Sequence, residues 1–154
     1  MMKRRLQLAA VLVVGIFTSA VLGQASDPLI GTWKLNPAKS KGINGGTTKI
    51  EAVGDGVKFT VDMVTADGAT HHWEMSGKYD GKDNPVTGDS PYGNSIALSR
   101  VDAKTTRLAA KQDGKATAVI TIVLSEDGKT RTVTTKGKDA KGQPVDVVSF
   151  YEKQ

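Results

Sequence analysis

The dipeptide Asp-Gly recurs along this chain, at Asp55-Gly56, Asp67-Gly68, Asp80-Gly81, Asp113-Gly114 and Asp127-Gly128. Both residues tolerate positive φ, which tight hairpin turns need at their centre. The stretches between these turns alternate. Val57, Phe59, Val61 and Met63 are interleaved with Lys58, Thr60 and Asp62, and His71, Trp73 and Met75 with Thr70, His72 and Glu74. Ala116 to Leu124 is almost wholly apolar or Thr, and Lys129 to Lys136 is mostly Thr, Val and cations. A period of two with β-branched residues between turn signals predicts strands. Eight to nine are expected, at 29–35, 47–53, 57–65, 69–78, 93–101, 104–111, 115–124, 129–137 and 144–152.

Short turns between successive strands make each strand pair with the next. A long meander exposes two edges, and closing the sheet removes them. The expected fold class is therefore all-β, an antiparallel up-and-down β-barrel. The competing architecture, a two-sheet sandwich, needs crossovers for which these turns leave little chain. Two segments interrupt the rhythm and read as loops: Asn36 to Gly46, rich in Lys and Gly, and Lys78 to Asn94, which holds Pro85 and Pro91. Loops of that length are functional or mobile, and the second could lie over a barrel mouth.

The first residues stand apart. Met1-Met2-Lys3-Arg4-Arg5 is a basic head, Leu6 to Leu22 is an apolar run, and Gly23-Gln24-Ala25 supplies small residues for a cut after Ala25. That is the three-part pattern of a secretory signal peptide, and the apolar run is short for a bilayer span. The expected division is a signal peptide over 1–25 and a single barrel domain over 26–154. Of the 21 basic side chains, Lys3, Arg4 and Arg5 leave with the signal, so 18 basic stand against 16 acidic, a net charge of +2. The basicity of the whole chain is largely an export signal. No Lys/Arg stripe with interleaved aromatics remains, and nucleic-acid binding is not expected. The chain has no cysteine. An exported domain without disulfides rests on its core and its sheet alone, which fits a bacterial periplasm or secreted fraction.

The segment following the signal reads Leu29-Ile30-Gly31-Thr32-Trp33-Lys34-Leu35, and the chain closes on Phe150-Tyr151-Glu152-Lys153. Gly-x-Trp on a first strand resembles the calycin superfamily, the lipocalins and fatty-acid-binding proteins. The closing residues are similar to the last strand of the fatty-acid-binding proteins. The whole also resembles short exported bacterial lipocalin-like proteins. The resemblance implies a barrel with a small, mainly apolar ligand in its lumen. It implies that Trp33 plugs one end, with Gly31 letting neighbouring backbone approach. Lipocalins pack an arginine from late in the chain near that tryptophan, and Arg131 is the nearest candidate. Two departures stand out. Asn36–Gly46 is too short for the helix pair of the fatty-acid-binding proteins. Their last-strand Arg-x-Tyr, which holds the ligand carboxylate, reads Ser149-Phe150-Tyr151 here.

Catalytic motifs are missing. Gly93-Asn94-Ser95-Ile96-Ala97 only approaches a nucleophile elbow, and Gly54-x-Gly56 opens a hairpin and no helix. His71 and His72 are adjacent, so on a strand they face opposite sides and cannot share a metal. Asp80, Asp83 and Asp89 lack the spacing of a calcium loop and read as turn formers. No cofactor, no metal and no enzymatic activity are expected. The candidate ligand-binding residues are Phe59, Met63, His71, Trp73, Met75 and Tyr151, on one inward face. The alternative is a filled barrel serving as a structural or protein-interaction module.

Overall fold

A computed structural model of the chain describes residues 26–154, and the predicted signal peptide, residues 1–25, lies outside them. Ten strands follow in order: β1 (Gly31–Leu35), β2 (Ile43–Val53), β3 (Gly56–Thr65), β4 (Thr70–Gly77), β5 (Asp83–Gly88), β6 (Ser95–Arg100), β7 (Thr105–Gln112), β8 (Lys115–Leu124), β9 (Thr130–Lys138) and β10 (Pro144–Lys153). Each pairs antiparallel with its sequence neighbours, and β1 also pairs with β10, so the meander closes into a barrel. No helix among the described residues is long and apolar enough to cross a membrane.

The strand count corrects the expected eight to nine. The tenth strand, β5, lies inside the stretch Lys78–Asn94 that reads as a loop. It is short, mostly exposed and carries Pro85, so it shows neither alternation nor β-branched enrichment. It is a strand because its neighbours make it one: Trp73 to Met75 pair with it on one side and Ser95 to Ala97 on the other. The other presumed loop is corrected as well. Asn36–Gly46 holds a single 3-10 turn at Pro37–Lys39, a bridge from Lys41 to Val148, and then the start of β2 at Ile43. A bulge between Ile43 and Gly45 hides the alternation there.

Elsewhere the period of two becomes an inside and an outside. Val57, Phe59, Val61 and Met63 of β3 are buried, and so are Trp73 and Met75 of β4. Across the barrel, Ile120, Ile122 and Leu124 of β8 face them with Tyr151 of β10. Asp113-Gly114 joins β7 to β8 with φ of +52° and +79°, the doubly positive geometry for which Asp-Gly suits a two-residue hairpin.

The two ends of the barrel are built differently. At the end where β1 begins, Asp27 accepts hydrogen bonds from the Tyr79 hydroxyl and from Arg100 Nη2 (2.9 Å), while Arg100 lies 4.1 Å over the Tyr79 ring. This ties the residues ahead of β1 to the β4–β5 connection and to the end of β6. At the opposite end the Asp89–Asn94 connection folds inward and buries Tyr92.

Gly137 of β9 tests the tightness of the wall. Its φ is +129°, and a Cβ there would meet Thr117 O at 2.4 Å. Gly137→Ala is expected to cost about 3 kcal/mol, against about 1 kcal/mol for Gly128→Ala, where φ is +69° with nothing within 4 Å. Urea unfolding of both variants measures the difference.

Candidate functional site

The barrel interior holds a cavity of about 60 Å³ lined by buried residues. Apolar side chains from opposite walls surround most of it: Phe59, Val61 and Met63 from β3, Trp73 from β4, Leu108 from β7 and Ile120 from β8. One sector is polar, with Thr48 of β2, Arg131 and Thr135 of β9, and Ser149 and Tyr151 of β10. Ile43 of β2 and Tyr92, which reaches in from the connection above, complete the lining. Burial pushes Tyr92 up to about 12 and raises Tyr151 as well. Thr135 lies close enough to the Tyr92 hydroxyl, and Thr48 and Ser149 to that of Tyr151, to hold both phenol pKa values down a little. Both phenols are therefore neutral hydrogen-bonding groups at ordinary pH.

Arg131 is the exception in this core. It is 3% exposed, and its Nε and Nη1 have no acceptor in the protein. Its guanidinium lies 4.9 Å from the ring centroid of Trp33 and 4.6 Å from that of Tyr151, its register partner on β10. Two ring faces stabilise a desolvated cation, each by roughly 1–2 kcal/mol, yet neither accepts an in-plane N–H. No carboxylate among the described residues offsets the charge, and burial lowers the pKa of Arg131 to about 10. The Trp73 indole N–H is likewise buried without an acceptor. An apolar cavity bordered by two residues with unsatisfied donors can accommodate one group that accepts hydrogen bonds, best a negative one.

The sequence-predicted residues divide between this cavity and its surroundings. Phe59, Met63, Trp73 and Tyr151 line it. Met75 is buried on the same face, beside Val86 of β5, without bordering the cavity. His71 stands at the rim, where its Nδ1 is 2.9 Å from Asp89 Oδ2. His72 faces outward, 2.6 Å from Asp62. Both histidines belong to an open outer pocket of about 690 Å³ that shares Met63 with the inner cavity. No cluster of metal-ligating side chains occurs among the described residues.

Trp33 is fully buried and donates from Nε1 to Leu29 O at 2.8 Å. Gly31 differs from the reading that it admits neighbouring backbone. Its φ is +140°, and the atom nearest to a Cβ there would be Cε of Lys153, 2.6 Å away. The positive φ is what requires glycine, since the flexible end of that lysine can move aside.

Sequence reasoning missed Ile43, Thr48, Val61, Tyr92, Leu108, Ile120, Arg131, Thr135 and Ser149 as lining residues. Thr48 and Thr135 lie on inward parity positions, which is the signal that could have found them. Tyr92 sits in a connection, where parity gives no reading. No protein-family model matches the chain, and no curated protein is detectably similar to it.

Arg131→Met separates a stabilising arginine from one kept for another purpose. Methionine fills similar space and removes the cost of an unpaired buried cation, at the loss of two ring contacts. The variant is expected to unfold within about 1 kcal/mol of the parent or to be more stable. A loss of about 3 kcal/mol or more in urea would make Arg131 a structural necessity.

Proposed function

We propose that this chain is an exported, calycin-like barrel that carries a small, mainly apolar molecule in its lumen and performs no catalysis. The observation that carries the reading is Arg131, buried in the polar sector of a cavity whose other walls are apolar, with two guanidinium nitrogens lacking acceptors. Apolar walls with few convergent polar groups are the usual make-up of a ligand site. Such a guest presents an acceptor oxygen, preferably anionic, to Arg131 and its carbon atoms to Phe59, Val61, Leu108 and Ile120. Of the earlier candidates, Phe59, Met63, Trp73 and Tyr151 contact the guest, Met75 backs the wall and His71 stands at the rim.

The calycin-like reading draws on the ten-strand closed meander, on Gly31-x-Trp33 in the first strand, and on the stacking of Arg131 over Trp33. The missing arginine at Ser149 finds a counterpart one strand away, because Arg131 is register-paired with Tyr151. A periplasmic or extracellular location rests on the N-terminal pattern and the absence of cysteine. Partners other than the guest, nucleic acid and membrane included, have no support in the charge pattern.

The cavity volume favours a second reading. About 60 Å³ holds only a few atoms, well below the roughly 300–1,000 Å³ of drug-sized sites. A barrel that stays this full is an interaction module whose surface does the work. Native mass spectrometry of the protein purified from its own envelope separates the two. The carrier reading expects a small organic molecule released with the chain. Bare protein whose tryptophan fluorescence ignores a panel of short-chain acids and lipids leaves the filled module.

A further inference from the structure

We propose that Asp89–Tyr92 is a lid over the lumen and Tyr92 its plug. The inference rests on the reading of the lumen as the ligand site. A guest in a cavity whose lining residues are all buried needs a way in, and those residues differ in how firmly they are held. Tyr92 is the one lining residue that lies outside a strand. The others stand on strands of a ladder that closes on itself, where parting two strands breaks several backbone hydrogen bonds at once.

The lid is held by few contacts. Asp89 N–H donates to His72 O and Ala140 N–H to Pro91 O, both at 2.8 Å, while Thr117 Oγ1 donates to Tyr92 O. A further tie is the pair His71–Asp89, whose aspartate side is largely exposed. Asn94, just past the segment, is by contrast anchored: its N–H donates to Lys111 O (2.9 Å), its O accepts from Val86 N–H (3.0 Å) and its side chain pairs with Asp113. Glycines flank the segment, Gly88 with φ of +90° and Gly93 with +143°, so left-handed backbone stands at either end. The outer pocket reaches the lid through His71 and Asp89 and the inner cavity through Met63. Met63 is the competing door. Its backbone is fixed between Gly46 and His71, so turning it opens a gap one side chain wide. Swinging the lid removes a whole tyrosine and opens the barrel end.

A reversible lock tests this. The chain has no cysteine, and the hydrogen bond from Ala140 to Pro91 brings those backbones within disulfide reach. The double variant Pro91→Cys/Ala140→Cys is mixed with hexanoate, and binding is followed by tryptophan fluorescence. The reduced protein is expected to take up hexanoate freely, and the oxidised one, with Tyr92 held in the lumen, on the order of 100-fold more slowly. Asp89→Asn, which loosens the latch without a disulfide, is expected to speed uptake about twofold to fivefold.

Equal uptake by the locked and reduced forms overturns the lid, as does a Met63→Ile variant that slows uptake while the lock does not. Hydrogen exchange reads the lid without a ligand. The Asp89 amide is expected to exchange faster than that of Ile120 in β8, and the lock to slow it. Exchange of both only through global unfolding overturns the lid even where hexanoate binds. Hexanoate that leaves the reduced protein unchanged removes the ligand reading instead, and Asp89 exchange still decides the lid.

Discussion

Three register pairs, Trp33 with Lys153, Lys34 with Glu152 and Leu35 with Tyr151, join the first strand to the last. Without them the meander is an open sheet with two bare edges and no enclosed volume. With them, Trp33 is brought to a guanidinium from β9 and a phenol from β10, more than ninety residues later in the chain. The same closure buries all three. The polar cluster of the lumen is therefore a product of the topology, assembled only when the ladder is complete.

That cluster has an energetic cost. Most of the core is aliphatic or aromatic, which a disulfide-free domain of this size requires. Arg131 spoils that economy, since its charge is removed from water without a counter-ion and is only partly offset by two rings. Methionine or leucine at this position would pack without the penalty. A group retained at a cost to the fold points to a use outside the fold, and the adjacent cavity supplies the place. The size of that cavity sets the terms: the lumen is nearly full while Tyr92 is seated, and any guest longer than a few atoms requires it to move.

Much of the architecture was legible in the sequence, for reasons that also explain the failures. Where one face is buried and the other wet, parity is written into the residues, and β3, β4 and β8 were readable in this way. β5 was not, because Asp83–Gly88 buries almost nothing and depends on β4 and β6 for its conformation. β2 is longer than its alternation shows because a bulge at Ile43–Gly45 breaks the pattern. The apolar lining residues were legible as inward positions. Arg131 was visible only through resemblance, since an arginine among threonines on a strand reads as solvated. Tyr92 lies in a connection, and nothing local marks it as inward.

The central claim is that Arg131 is kept for a guest. Its side-chain Nε–H resonance in a nitrogen–proton correlation spectrum reports on that directly, with Arg100 and Arg107 in the same spectrum as internal references. On addition of short-chain carboxylates the Arg131 signal is predicted to move and to become protected from exchange, while the signals of Arg100 and Arg107 stay in place. An Arg131 signal unmoved by these acids, in protein whose Tyr92 segment is free to open, would contradict the account and return the barrel to a filled structural module.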